Sequence, residues 1–222
     1  MGIIEVHGAP FPGADTSVKQ ITHCIDIGFE VGQGCRLPTD VIHRRIADMV
    51  WVCTGLQPEV IAAAQAHLAQ GAAEAGRRLE DLDIWWIALM NVGPPRQEAI
   101  RQLQFSLASY AHIIFRYTLE GKAVPATFAE PIRRLVAGYQ SRAHIKPGEV
   151  NPNAQLVEEL GLTTYLADRL TIAGTVEECL EQLQRLNDLG IRQIWTPIRF
   201  ADKGPLMQVL CEELMPRLTT AL

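Results

Sequence analysis

Leu170 to Pro197 reads LTIAGTVEECLEQLQRLNDLGIRQIWTP, and this stretch decides what kind of fold the chain can adopt. Thr175 stands three residues before Glu178, so its hydroxyl can take an orphan amide at a helix start while the carboxylate reaches back, the capping-box arrangement. Val176, Leu180, Leu183 and Leu186 recur at steps of three and four and predict one apolar stripe. Gly190 offers the left-handed residue that ends a helix, and Ile191 to Ile198 reads as a buried strand. Helix, glycine, strand is half of a βαβ unit, and parallel strands require such crossovers. The function is to be sought at the strand ends.

Working outward, the same alternation recurs. Cys24 to Val31 is a short apolar run ending in the loop GQGCRLP, Gly32 to Pro38, after which Thr39 or Asp40 can cap a helix through about Ala47. Asp48 to Gly55 reads as a strand, and Pro58 sits near the first turn of a long helix reaching about Gly76. Asp83 to Val92, DIWWIALMNV, is a strand apolar nearly throughout, as expected where both faces are covered. A mostly helical region from Arg96 to about Leu170 then interrupts the pattern, broken by a polar loop at Lys146 to Asn153. The expected closing helix runs from about Gly204 to Leu218. The first two dozen residues are an irregular lead-in, or a weak strand around Ile3 to Val6. About four parallel strands are too few to close an eight-stranded barrel, so the exposed edges call for cover by the N-terminal segment, the helical region or a second chain.

With 222 residues, 48% of them apolar, the chain can build a sizeable core as one large α/β domain or two small ones. A net charge of -5 without a basic block argues against nucleic acid and anionic membranes. Cys24, Cys35, Cys53, Cys179 and Cys211 are odd in number and widely spaced, with no zinc pattern, which fits a reduced cytoplasmic protein without a bound metal. No leader-like segment opens the sequence, and no apolar run approaches the ~20 residues of a membrane span.

Three segments carry a resemblance. AQAHLAQGAAEAGR, within Gly55 to Ile84, has the form AxxHLxxGAxxAGR. YLADRLTIAGTVEECLEQLQRLNDLGIRQIWTPI, Tyr165 to Ile198, has an AGT capping turn and an LxxLxxxG helix end, and IHRRIADMVWVCTGLQPE precedes both in order. Together, over roughly Asp26 to Leu218, they resemble the luciferase-like flavin- or F420-dependent oxidoreductases, in the stretches around the sixth, seventh and eighth barrel strands. The resemblance implies a partial β/α barrel of TIM type, the C-terminal half, with a helical insertion at 96–170 before the last strand. It also implies that the first four strands, whose loops supply much of the cofactor pocket, are missing, which puts catalysis in doubt. The whole chain, 1–222, then reads as one domain with residues 1–24 as its lead-in.

In such barrels the chemistry gathers at the carboxyl ends of the strands. Gly32, Gln33, Gly34 and Arg36 form the first candidate loop: the glycines let backbone amides approach a phosphate or flavin-like ring, and Arg36 can neutralise charge. A plain strand-to-helix turn explains the loop equally well, and Pro38 is displaced from the Gly-Pro element common in the family. Thr54 and Gly55 can offer a hydroxyl and an open amide, or simply start a helix. Asn91 to Pro95 can shape a pocket wall or only turn the chain. Arg199 can fork onto a phosphate, or pair with Asp202 or Glu213. His67 reads as a surface or packing residue, Cys35 as a thiol with little claim to nucleophilicity, and His43, Arg44 and Arg45 as a solvated cluster. Trp85 and Trp86 point to opposite faces, so at most one lines the barrel. No Ser-His-Asp order, Walker loop or HExxH motif is present, and no residue stands out as acid or base.

The expected function is therefore that of a luciferase-like oxidoreductase acting on a small organic substrate with reduced FMN or F420, by hydride transfer or monooxygenation. The alternative is a catalytically silent half-barrel that binds flavin or dimerises. The expected partners are a second copy of the chain, or a chain supplying the missing half.

Overall fold

A computed structural model describes residues 3–7, 24–25, 49–143 and 151–221. Five parallel strands make one sheet: β1 (Ile3–His7), β2 (Cys24–Ile25), β3 (Met49–Val52), β4 (Asp83–Ile87) and β7 (Gln193–Pro197), in the order β1-β7-β4-β3-β2. β5 (Leu89–Val92) and β6 (Thr171–Gly174) form a second parallel pair. Closing a barrel brings its first strand beside its last, and β1 against β7, with Ile3 opposite Gln193, has that adjacency. Among the described residues the arc does not close, because β1 and β2 each have a neighbour on one side only.

Three of the expected strands are present, of the fourth only Cys24–Ile25 is described, the rest of it and the helix expected through Ala47 lying outside the described residues, and Asp83 to Val92 differs from expectation in an instructive way. The run is interrupted at Ala88, where it changes partners. Its first half pairs with β3 and β7, and its second half with β6. Two bonds bridge the change: the Ala88 amide donates to Trp195 O at 3.1 Å, and the Met90 amide donates to the buried Thr196 hydroxyl at 3.2 Å. β6 itself is an addition to the expected strands. Its four residues fall between a helix and a capping turn, too short a run to show a period of two.

Even-numbered residues of the central strands, Val50, Val52, Trp86, Met90 and Ile194, pack in one core with α1 (Pro58–Glu74) and α6 (Val176–Asp188). Ile87 and Leu89, at odd positions, pack in a second core with α2 (Arg96–Phe115), α3 (Ala126–Gly138), α4 (Pro152–Glu159) and α5 (Thr163–Leu170). Both faces of the sheet are thereby covered, which is why the strands read as continuous apolar runs. The Trp prediction follows the same parity: Trp86 enters the first core and Trp85 does not.

The α6 start is the expected capping box. The Glu178 amide donates to Thr175 Oγ1 at 3.3 Å, and the Thr175 amide donates to Glu178 Oε2 at 2.8 Å. Its buried stripe is Val176, Cys179, Leu183 and Leu186, with Cys179 taking the fully buried place expected for Leu180, which is only partly buried. Each buried leucine there contributes roughly 1.5–3 kcal/mol. Gly190, at φ +85°, lets the chain turn so that Gly190 N reaches Asn187 O (2.9 Å) and Ile191 N reaches Leu186 O (3.0 Å). That pair of bonds is the Schellman closure. The closing segment runs as α7 (Gly204–Val209), a π turn at Leu210–Leu214 and α8 (Met215–Ala221).

Candidate active site

Gly32, Gln33, Gly34 and Arg36, together with Cys35, Pro38, His43, Arg44 and Arg45, lie outside the described residues. The described strand ends that remain are those of β3, β5 and β7, and the three differ sharply.

At the end of β3, Thr54 and Gly55 are wired to the helical layer by Arg169, which is 0% exposed at the end of α5. Arg169 Nε donates to Thr54 O at 2.9 Å, Nη1 to the Tyr165 hydroxyl at 2.9 Å and Nη2 to Lys122 O at 2.7 Å. The Leu56 amide returns a bond to Arg169 O at 2.7 Å. Tyr165 stands one helical turn before Arg169, so the pair meets on one face of α5, and Phe128 stacks on the Tyr165 ring at 4.3 Å. Burial pushes the Tyr165 phenol up, and the charge of Arg169 partly draws it back. Gly55 has φ +129°, and a Cβ there would stand 2.6 Å from Arg169 Cγ. The close approach of the arginine gives this glycine a packing reason whatever else it binds. The Thr54 hydroxyl is left over: the residue is 2% exposed and its Oγ1 meets no partner among the described residues.

The end of β5 is closed by its own contacts. Gly93 N donates to Gly174 O at 2.9 Å, and Asn91 Nδ2 donates to Ala99 O at 3.1 Å and to Gln102 Oε1 at 2.9 Å. This loop fixes α2 on the sheet.

The end of β7 is open in a different sense. Arg199 lies with its guanidinium carbon 5.5 Å from the centre of the Tyr110 ring, and its buried Nη1 has no acceptor among the described residues. Among the described residues it pairs with neither Asp202 nor Glu213; Asp202 Oδ1 accepts from Gly204 N instead. Tyr139, just past α3, stacks on His112 of α2 at 4.1 Å and 13°. Burial pushes the Tyr139 phenol up, while a hydrogen bond with Ser109 and the charge of Arg199 draw it down. On the face that carries Ile87, Trp51 and Trp195 stack at 5.1 Å and 25° from either side of β4. Sequence reading named Thr54 and Arg199 but passed over Trp51, Trp195, Tyr110 and Tyr139. The two tryptophans sit at odd positions of the two strands that flank β4, a parity the sequence does carry. The tyrosines, on a helix and a loop of the insertion, carry no such mark.

A separate cleft of about 450 Å³ opens between the start of α1, α5 and α6, lined by Gln57, Arg96, Asp168 and Arg185 among others. Much of its charge is spent internally, since Arg96 pairs with Asp168 at 2.7 Å and donates to Ala173 O at 3.0 Å. Glu178, also on its wall, is held by the capping box. His67 stays on the exposed face of α1, bonded to Ala63 O at 2.7 Å, as a surface residue should be. Among the described residues no group of acidic, His and Cys side chains could hold a metal, and no helix is long and apolar enough to cross a membrane.

The model of the luciferase-like monooxygenase family matches residues 44–193. The chain belongs to that family. No curated protein matches it significantly. Among solved structures, the coenzyme F420-dependent tetrahydromethanopterin reductase of Methanopyrus kandleri aligns at a TM-score of 0.57 and 20% identity, over 80% of this chain and 47% of that one. An F420-dependent secondary alcohol dehydrogenase, solved with an F420–acetone adduct, aligns at 0.52 and 14%, over 80% of this chain and 44% of that one. At these identities the likeness is one of fold. The family member described here is a partial β/α barrel that spans less than half the length of these structural relatives.

Proposed function

We propose that this family member is a single-domain, cytoplasmic oxidoreductase that binds reduced FMN or F420 at the carboxyl ends of its strands and acts on a small organic substrate. The observation that carries the reading is the coincidence of family membership with unmet buried polar atoms at two strand ends, Thr54 Oγ1 and Arg199 Nη1. The residues present fit a flat, polar-edged cofactor in part. The Trp51 and Trp195 rings supply an aromatic wall, Thr54 a hydroxyl and Arg199 a fork for oxyanions. Gly32, Gln33, Gly34 and Arg36, proposed from the sequence, and Gly55 complete the proposed binding set. The cofactor, when bound, supplies hydride transfer or oxygen activation. The chain's own share is to hold the ring, orient the substrate and exclude water. The apolar lining of Ile87, Leu89 and Phe115 beside those rings serves the last purpose.

The second reading is a catalytically silent half-barrel, paired with another copy or with a chain carrying the missing strands. Among the described residues β1 and β2 each pair on one side only, which favours it, because open parallel edges template association. Titration of the purified chain with FMN and with F420, followed by quenching of tryptophan emission and run beside light scattering, separates the readings. Stoichiometric micromolar binding, lost in Trp195→Ala, supports the oxidoreductase. A dimer that binds neither compound supports the silent half-barrel.

A further inference from the structure

We propose that Arg199 and Tyr139 form an oxyanion-binding subsite at the mouth of β7, built to take the phosphate or carboxylate of a small ligand. Location alone ties this to the cofactor reading; the chemistry stands by itself. A guanidinium nitrogen buried without an acceptor is costly, because its hydration is lost and nothing replaces it. Among the described residues Arg199 Nη1 is in that condition, and the carboxylates of Asp202 and Glu213 do not pair with it. The side chain is nevertheless held in place, with its charge over the face of Tyr110. The second donor is held as firmly. Tyr139 is clamped by its stack on His112 and by Ser109, and it lies within the electrostatic reach of Arg199.

The contrast with Arg169 shows that the vacancy is not a general property of arginines in this fold. Arg169 is more deeply buried and directs its three donor nitrogens at three oxygens. Arg199 stands one residue past the last core position, Ile198, where the carboxyl ends of parallel strands receive ligands. A planar fork beside a phenol suits an oxyanion, which accepts from both through charge-assisted bonds stronger than those a neutral oxygen makes; a cationic ligand would be repelled.

The test is a calorimetric titration of the chain with inorganic phosphate and with acetate, repeated on Arg199→Met, Arg199→Lys and Tyr139→Phe. The expected result is saturable binding by the native chain, weakened at least ~10-fold in Arg199→Met, partly restored in Arg199→Lys and weakened several-fold in Tyr139→Phe. Circular dichroism on each variant confirms the fold, and Tyr139→Phe, which removes one hydroxyl, stands in should Arg199→Met fail to fold. Neither anion binding to the native chain, or equal binding by native chain and Arg199→Met, overturns the subsite. FMN against riboflavin tells the source of the oxyanion. An Arg199-dependent preference for FMN assigns the cofactor's phosphate; phosphate still binding to FMN-loaded chain assigns a substrate group. Phosphate binding without FMN, riboflavin or F420 binding sinks the cofactor reading and leaves the subsite standing.

Discussion

Two arginines at the carboxyl ends of neighbouring parts of the sheet have opposite hydrogen-bond accounts. Arg169, at the end of β3, is fully buried and donates to Thr54 O, the Tyr165 hydroxyl and Lys122 O. Arg199, at the end of β7, is half-buried, rests on Tyr110 and keeps a buried nitrogen without an acceptor among the described residues. Each also sits by a tyrosine whose phenol burial pushes up and whose arginine draws down. The pairing teaches that chemistry-bearing residue types do not reveal function until their donors are counted. A saturated guanidinium is a strut, and an unsaturated one in the same setting is an invitation to a ligand.

The strongest way to break the comparison is to remove both. Arg169→Met strands two carbonyls and a hydroxyl in the interior and is expected to cost about 3 kcal/mol or more, read as a lower urea midpoint. Gly55→Ala attacks the same strut from the strand side: the added methyl meets Arg169 Cγ and the φ of +129° suits no L side chain. It should cost about 2 kcal/mol in the same experiment. Thr175→Ala, remote from both arginines, calibrates the scale at about 1 kcal/mol through loss of the helix cap. Arg199→Met should change stability by less than about 1 kcal/mol, because it removes few bonds and relieves a buried donor. A large loss there would show Arg199 to be a strut as well.

The smallest effect sharpens the electrostatics. Taking away the Arg199 charge removes an attraction that favours the phenolate, so the Tyr139 pKa should rise further above its usual 10.0 in Arg199→Met. Ultraviolet titration of native and variant chains measures it. The sign for stability follows: a phenol whose folded pKa lies above its unfolded one contributes stability below about pH 10, lost as pH climbs through the folded value. Cys179 behaves alike, its buried thiol pushed up to about 12 from 9.0.

The local chemistry of the sheet and its crossovers was legible in the sequence. The capping box at Thr175, the glycine closure at Gly190, the strand near 49–52, the helix from Pro58 and the apolar run from Asp83 all have causes within a few residues. β6 and the partner change at Ala88 were not legible, since both depend on which strands the tertiary fold brings alongside and not on any local period. At the site, Thr54 and Arg199 were found because strand ends could be located. Arg169 was missed because nothing in ADRLT distinguishes a buried arginine from a solvated one. Its three oxygens come from residues 54, 122 and 165, which only the tertiary fold assembles.

That assembly has a kinetic corollary. Because Leu56 N–H is bonded to Arg169 O while Arg169 Nε is bonded to Thr54 O, the loop after β3 and the helix α5 cannot separate one at a time. In hydrogen exchange the Leu56 amide should open together with those of α5, as one cooperative unit. A ligand arriving at the end of β3 therefore meets two elements that can only move together.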